Sequence, residues 1–166
     1  MNHLWSVRRA DLRERAFVLL RWAIGALMVY LGLSKALQPV QFLKLIREYG
    51  VVADPLLLNA LAGLLPWLEV FLGLLLVSGV AVRGSALVLV MMLVPFTGAV
   101  LGRAVAIHAS HGIPFCAVRF DCGCGLGEVW ICQKLAENAL LVAVSAGFLA
   151  GAGRRFCARY RLWQGG

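Results

Sequence analysis

Charge is what this chain has least of. Asp, Glu, Lys and Arg together make up 14% of its 166 residues, against roughly 25% in an ordinary soluble domain. Acidic residues are the scarcest, 8 against 16 Lys and Arg. With 61% of residues apolar and a mean hydropathy of +0.85, this scarcity excludes a disordered chain, a nucleic-acid-binding domain and an ordinary cytosolic enzyme. Also missing are internal repeats, low-complexity segments and the period-two alternation of barrel strands. A helical membrane protein remains. At roughly 20 apolar residues per crossing, the length holds about four spans, short loops and no large soluble domain. Residues 1–166 read as a single membrane domain.

Four apolar stretches fit that count, at about 16–37, 56–82, 84–107 and 135–152. The first is longer than a signal-peptide core and is followed by three more, so it reads as a retained signal-anchor. Arg8, Arg9, Arg13 and Arg15 precede span one, Arg83 lies between spans two and three, and Arg154, Arg155, Arg159 and Arg161 follow span four. The opposite loops hold only Lys44, Arg47, Arg119 and Lys134. By the positive-inside rule both termini are expected in the cytoplasm, which leaves loops 38–55 and 108–134 outside. The expected fold is an all-α four-helix membrane bundle in a bacterial inner membrane. The excess of basic residues is explained by these flanks and needs no nucleic acid.

The first outer loop has its own periodicity. Phe42, Leu45, Ile46 and Tyr49 recur at i, i+3, i+4 and i+7, Pro39 suits a first helical turn, and Gly50 suits the position after the last. This predicts a short amphipathic helix on the outer membrane surface.

The second outer loop concentrates four of the five cysteines, Cys116, Cys122, Cys124 and Cys132, while Cys157 stands alone beyond span four as an inert thiol. In an oxidising compartment such a cluster points to disulfides. Cys122 and Cys124 are two apart, interleaved with Gly123 and Gly125, and a bond between them closes a small, strained ring that is expected to be exposed and easily reduced. Cys116 and Cys132 flank it and supply either a second redox pair or a brace. Arg119, Lys134, His108 and His111 favour thiolates, and Asp121 opposes them. Two other readings stay open: a purely structural pair of disulfides, and a metal site. The spacings do not match the paired Cys-x2–4-Cys pattern of structural zinc, so no metal is expected.

The order Arg21-Trp22, Gly25, Gly32, Lys35, then Tyr49-Gly50, Leu65-Pro66, Glu69 and Asp121-Cys122-Gly123-Cys124-Gly125 resembles the DoxX-like superfamily of four-helix membrane proteins. Within it the chain resembles the methylamine-utilisation MauE branch, over roughly Arg21 to Leu141. That branch is implicated in periplasmic maturation of a disulfide-rich partner, the small subunit of methylamine dehydrogenase. A wider relative is a membrane subunit of thiosulfate:quinone oxidoreductase. The resemblance implies a redox role for Cys122 and Cys124 and marks Glu69, Lys35 and Arg21 as polar positions of the pattern. Cys116 and Cys132 fall outside it.

Glu69 lies near the middle of span two, where an ionised carboxylate is costly and usually functional. Pro66, three residues before it, is expected to kink the span. Glu69 leans outward and Arg103, on the antiparallel span three, leans inward. Their depths differ by about seven residues, or roughly 10 Å, which predicts a Glu69–Arg103 pair. Such a pair either simply joins two helices or floors a polar pocket below the loop, able to hold a quinone headgroup or relay protons. Glu137 and Lys35 are expected to line the same pocket or to snorkel. The combined expectation is a membrane thiol–disulfide protein that assists disulfide formation in an extracytoplasmic client and passes electrons to quinone or another carrier. The alternative is a non-catalytic anchor or assembly subunit of a larger respiratory or secretory complex.

Overall fold

A computed structural model of the chain describes residues 2–50, 52–123, 127–153 and 157, with side chains from residue 11 onward. In chain order the elements are α1 (Asn2–Leu37), α2 (Pro39–Glu48), α3 (Pro55–Ser78), α4 (Val82–His111), a 3-10 turn (Phe115–Ala117), β1 (Arg119–Asp121), β2 (Glu128–Trp130) and α5 (Ile131–Leu149). Among the described residues three helices are long and apolar enough to cross a membrane: Asp11–Leu37, Pro55–Ser78 and Val82–His111. The chain is therefore a multi-pass helical membrane protein. The fourth expected span falls on α5, whose first turns carry Lys134 and Glu137.

Local chemistry sets most boundaries. Pro39 opens α2 and Pro55 opens α3, positions where the missing N–H costs nothing. Asp54 caps α3 by accepting a 2.9 Å hydrogen bond from the Leu57 N–H. Gly79, in the left-handed conformation, ends α3. Pro66 does not break α3, which runs through it without interruption.

The tightest packing is between α1 and α3, and it depends on glycine. A methyl group added at Gly73 would lie 2.6 Å from the Gly25 carbonyl oxygen and 2.8 Å from a Val29 methyl. One added at Gly32 would lie 2.6 Å from the Pro66 carbonyl oxygen. Small residues at such a contact let two backbones touch, which is how helices associate where lipid removes the hydrophobic drive. The α4–α5 pair is joined at mid-depth by a 2.9 Å hydrogen bond from Asn138 Nδ2 to Thr97 Oγ1.

The bundle has two distinct ends. At one, α2 and the β1–β2 hairpin pack over a core of Val100, Ala104, Val118, Phe120, Cys122 and Ile131. At the other, the fully buried Arg21 donates from Nη1 to the Gly153 carbonyl at 2.7 Å and to Cys157 Sγ at 2.9 Å, and Glu14 accepts from the Gly153 N–H. Both expected outer loops thus share one end. Of the arginines used to infer orientation, Arg154, Arg155, Arg159 and Arg161 lie outside the described residues, as do the side chains of Arg8 and Arg9.

The expected open loop 108–134 is shorter than the sequence suggests. α4 extends to His111 and α5 begins at Ile131, and between them β1 and β2 pair antiparallel with Arg119 opposite Trp130, Phe120 opposite Val129 and Asp121 opposite Glu128. Strands this short carry little periodic signal of their own.

The glycine contact gives a direct test. Gly73→Leu is expected to destabilise the bundle by at least about 2 kcal/mol through overpacking. Gly63→Ala, where nothing among the described residues lies within 4 Å of the added carbon, should not destabilise the bundle and gains up to about 1 kcal/mol of helix propensity. Denaturation in detergent micelles measures both, and equal tolerance at the two positions would contradict the packing account.

Candidate functional site

The hairpin end gathers the cysteines. Cys116 sits in the 3-10 turn and Cys132 in the first turn of α5, and they are bonded to each other with Cα atoms 5.1 Å apart. Cys116 is exposed and Cys132 is half-buried. Cys122 is disulfide-bonded as well. Cys124, and with it the expected Cys122–Cys124 ring, lies outside the described residues.

One expectation is reversed here. Cys122 is not exposed but fully buried, at 0%. The cause is an alternation that runs past the ends of β1. Val118, Phe120 and Cys122 all point into the core, whereas Arg119 between them is exposed. Period-two side-chain direction in an extended chain therefore draws Cys122 inward with its apolar neighbours. Asp121 Oδ1 accepts the Gly123 N–H at 2.9 Å, and Gly123 takes a φ of +71°, a turn that favours glycine.

The predicted amphipathic helix α2 forms, but it does not simply rest on lipid. Its C-terminal end closes over Cys122. Tyr49 donates its hydroxyl to the Cys122 carbonyl at 2.9 Å and sets its ring edge-on to Phe120, with centroids 6.5 Å apart. Leu45 packs against Gly123. Burial pushes the Tyr49 phenol up to about 12; Arg103 pulls it back, while Asp121 and Glu48 add to the rise. Tyr49 is thus held as a hydrogen-bond donor.

The expected Glu69–Arg103 pair does not form. Lys35 Nζ reaches both carboxylate oxygens of Glu69, at 2.6 and 2.7 Å, with the two residues only 9% and 6% exposed. Phe42 of α2 lies against the same ammonium, its ring centroid 5.4 Å away. Arg103 instead bonds Glu48 of α2 at 2.8 Å and lies 5.3 Å from the ring centroids of both Tyr49 and Phe120. Backbone contact decides this. The glycine interface puts α1, not α4, beside Glu69, and Arg103 faces the hairpin.

Glu137 also differs from expectation. It is half-exposed and accepts from Gln133 Nε2 at 2.9 Å, while the buried charge on α5 is Lys134, 3.7 Å from Glu137. One turn on, Asn138 is 1% exposed and its Oδ1 has no hydrogen-bond partner among the described residues. Of the expected pocket of Glu69, Arg103, Lys35 and Glu137, the structure brings together Lys35 and Glu69, and on α5 it buries Lys134 and Asn138 in place of Glu137.

The other basic residues expected near the thiols are engaged elsewhere. His108 donates from Nδ1 to the Ile113 carbonyl at 2.6 Å, His111 Nδ1 lies 2.8 Å from Ser110 Oγ, and Arg119 stacks 4.6 Å from the Trp130 ring centroid. Among the described residues no group of three or more metal-ligating side chains converges. Tyr49, Glu48 and Lys134 are the contributors whose roles sequence reading missed. The stripe containing Tyr49 was visible, but its partner was not.

Compared with known proteins, residues 13–151 match the family model described as methylamine utilisation protein MauE. No curated protein and no solved structure matches the chain.

Two outcomes follow from these contacts. Lys35→Met and Glu69→Gln should each cost about 3–5 kcal/mol, because each strands a buried polar partner. The double variant should cost clearly less than their sum, whereas Glu69→Gln with Arg103→Ala should be additive; unfolding free energies in detergent report both cycles. Tyr49 gives a pH test. Its folded value of about 12 exceeds the ordinary 10 or so, so its contribution to stability is complete below about pH 10 and is lost as pH rises toward 12. An ultraviolet difference titration should show one late-ionising tyrosine that disappears in Tyr49→Phe.

Proposed function

The chain belongs to the MauE family of methylamine utilisation proteins, and on that premise we propose that it is a membrane thiol–disulfide redox protein. It assists disulfide formation or maturation of a cysteine-bearing extracytoplasmic partner. In this reading α5 is a fourth crossing, both termini are cytoplasmic, and the hairpin end faces the periplasm or exterior of a bacterial inner membrane. The observation that carries the proposal is the hairpin end itself. Two disulfide-bonded positions, Cys116–Cys132 and Cys122, sit there above a buried charged group.

The chemistry balances as two exchanges. A client dithiol and a loop disulfide become a client disulfide and a loop dithiol, a transfer of two electrons and two protons through a mixed disulfide. The loop is then reoxidised by a membrane carrier of the quinone class, which accepts those electrons and protons when bound. Lys35, Glu69, Lys134 and Asn138 suit that second half. They are buried, the ammonium groups can donate to a carbonyl oxygen, Asn138 Oδ1 can accept from a quinol hydroxyl, and Glu69 can take up or release a proton. Intramembrane ionisable residues commonly serve such relays. Arg103 holds α2 against the hairpin, and Glu137 orients Lys134.

Labelling tests the assignment. Spheroplasts treated with mild reductant and then a membrane-impermeant maleimide should incorporate label at the loop cysteines and spare Cys157. Label at Cys157 alone would invert the orientation. Loop cysteines that stay blocked until strongly reducing conditions would make the loop a staple and favour an anchoring subunit of a larger complex.

A further inference from the structure

We infer that Trp130 and Arg119 form the platform on which a client segment lies while its thiols react at the neighbouring Cys116–Cys132 bond. The segment is extended and carries an acidic residue beside its cysteine. This rests on the exchange reading above and deepens it by naming the chemistry of the partner.

The first observation is an exposed aromatic on a charged surface. Alternation along the hairpin puts Phe120 and Val129 against the core and Arg119, Asp121, Glu128 and Trp130 on the opposite face. Three of those four are charged, so that face meets water and not lipid tails. Trp130 is 46% exposed there, and between Val105 and Leu140 it is the only exposed large apolar side chain among the described residues. Tryptophan and arginine are the side chains that most often anchor protein contacts.

The second observation is the state of Arg119. Its guanidinium lies 4.6 Å from the Trp130 ring centroid, and it belongs to none of the ion pairs among the described residues. Stacking uses the flat face of a guanidinium. Its in-plane N–H donors are left for a carboxylate, which they can hold at two points.

The third is position. Arg119 and Trp130 are the register pair of the hairpin nearest α5. The Ile131 N–H then bonds the Val118 carbonyl at 3.2 Å, and the Cys116–Cys132 bond joins the same two segments just beyond. Cys116 is exposed, and Trp130 is within two residues of Cys132, a reach of at most roughly 7 Å. An extended client advances about 3.3 Å per residue. An acidic residue next to its cysteine therefore reaches Arg119 while the cysteine reaches the bond. Asp121 and Glu128, toward the far end of the hairpin, repel acid and fix the carboxylate at the Arg119 end. Size decides the rest: one stacked pair is far smaller than the roughly 800 Å² per side of a stable folded complex. It suits a short unfolded segment, gripped and released.

The test uses the full-length oxidised protein in lipid nanodiscs. The probes are two reduced dithiol peptides that differ only in Glu or Lys beside the first cysteine, with dithiothreitol as an uncharged small dithiol. Opening of Cys116–Cys132 is followed by acid quench, alkylation and mass spectrometry. At limiting concentration the Glu peptide should open the bond about tenfold faster than the Lys peptide, and Arg119→Glu should abolish or reverse that preference. Trp130→Ala should slow both peptides relative to dithiothreitol by about tenfold, through the half-saturating concentration and not the maximal rate. Peptide rates that keep their wild-type ratio to dithiothreitol in both variants would overturn the platform while exchange stands. A loss shared equally by dithiothreitol would make the pair structural. Quenching of Trp130 fluorescence by brominated lipid, absent in Trp130→Phe, would make it a membrane anchor; either result overturns the proposal. If dithiothreitol and both peptides leave the bond closed, the exchange reading itself falls.

Discussion

Lys35 and Glu69 have to meet inside an apolar bundle, and much of the structure follows from that requirement. Neither charge is tolerable alone in low dielectric. Their 2.6 and 2.7 Å contacts require α1 and α3 to run in near backbone contact. Gly25, Gly32 and Gly73 make this possible by leaving nothing between the helices. Because α3 is committed to α1, Arg103 of α4 is released to the hairpin end, where Glu48 and two aromatic rings receive it. The ion pair thus decides which helices are neighbours.

That arrangement gives the cysteine end two layers. The outer layer is the bond between Cys116 and Cys132, which staples the 3-10 turn to the start of α5. The inner layer is Cys122, sealed by α2. Below both lie Lys35, Glu69, Lys134 and Asn138, all buried. Exposure thus falls from Cys116 through Cys132 to Cys122.

Much of this was legible in the chain. Apolar runs located α1, α3, α4 and α5, and the Phe42–Leu45–Ile46–Tyr49 stripe with Pro39 located α2. The MauE resemblance was also readable, from Asp121-Cys122-Gly123-Cys124-Gly125 with Lys35 and Glu69. What failed were statements about neighbours. Glu69 was matched to Arg103 by depth and lean alone, but periodicity within a span does not say which span lies beside it. The glycine positions that do say so act through backbone contacts across α1 and α3. Cys122 is expected to be exposed because loops usually are. The Val118–Phe120–Cys122 alternation was present, but in a segment too short to stand out from a loop. Glu137 and Lys134 lie within one turn of each other, and only the packing of α5 decides which of them is buried.

The central claim is that the hairpin end holds redox couples and not braces. Equilibrium titration of the purified full-length protein in nanodiscs against glutathione buffers, read by intact mass after alkylation, tests it most directly. The account predicts that both loop couples, four thiols in all, open at potentials above the roughly −300 mV typical of structural disulfides, with Cys157 alkylated throughout. A protein whose loop thiols all stay protected until well below that potential would contradict it.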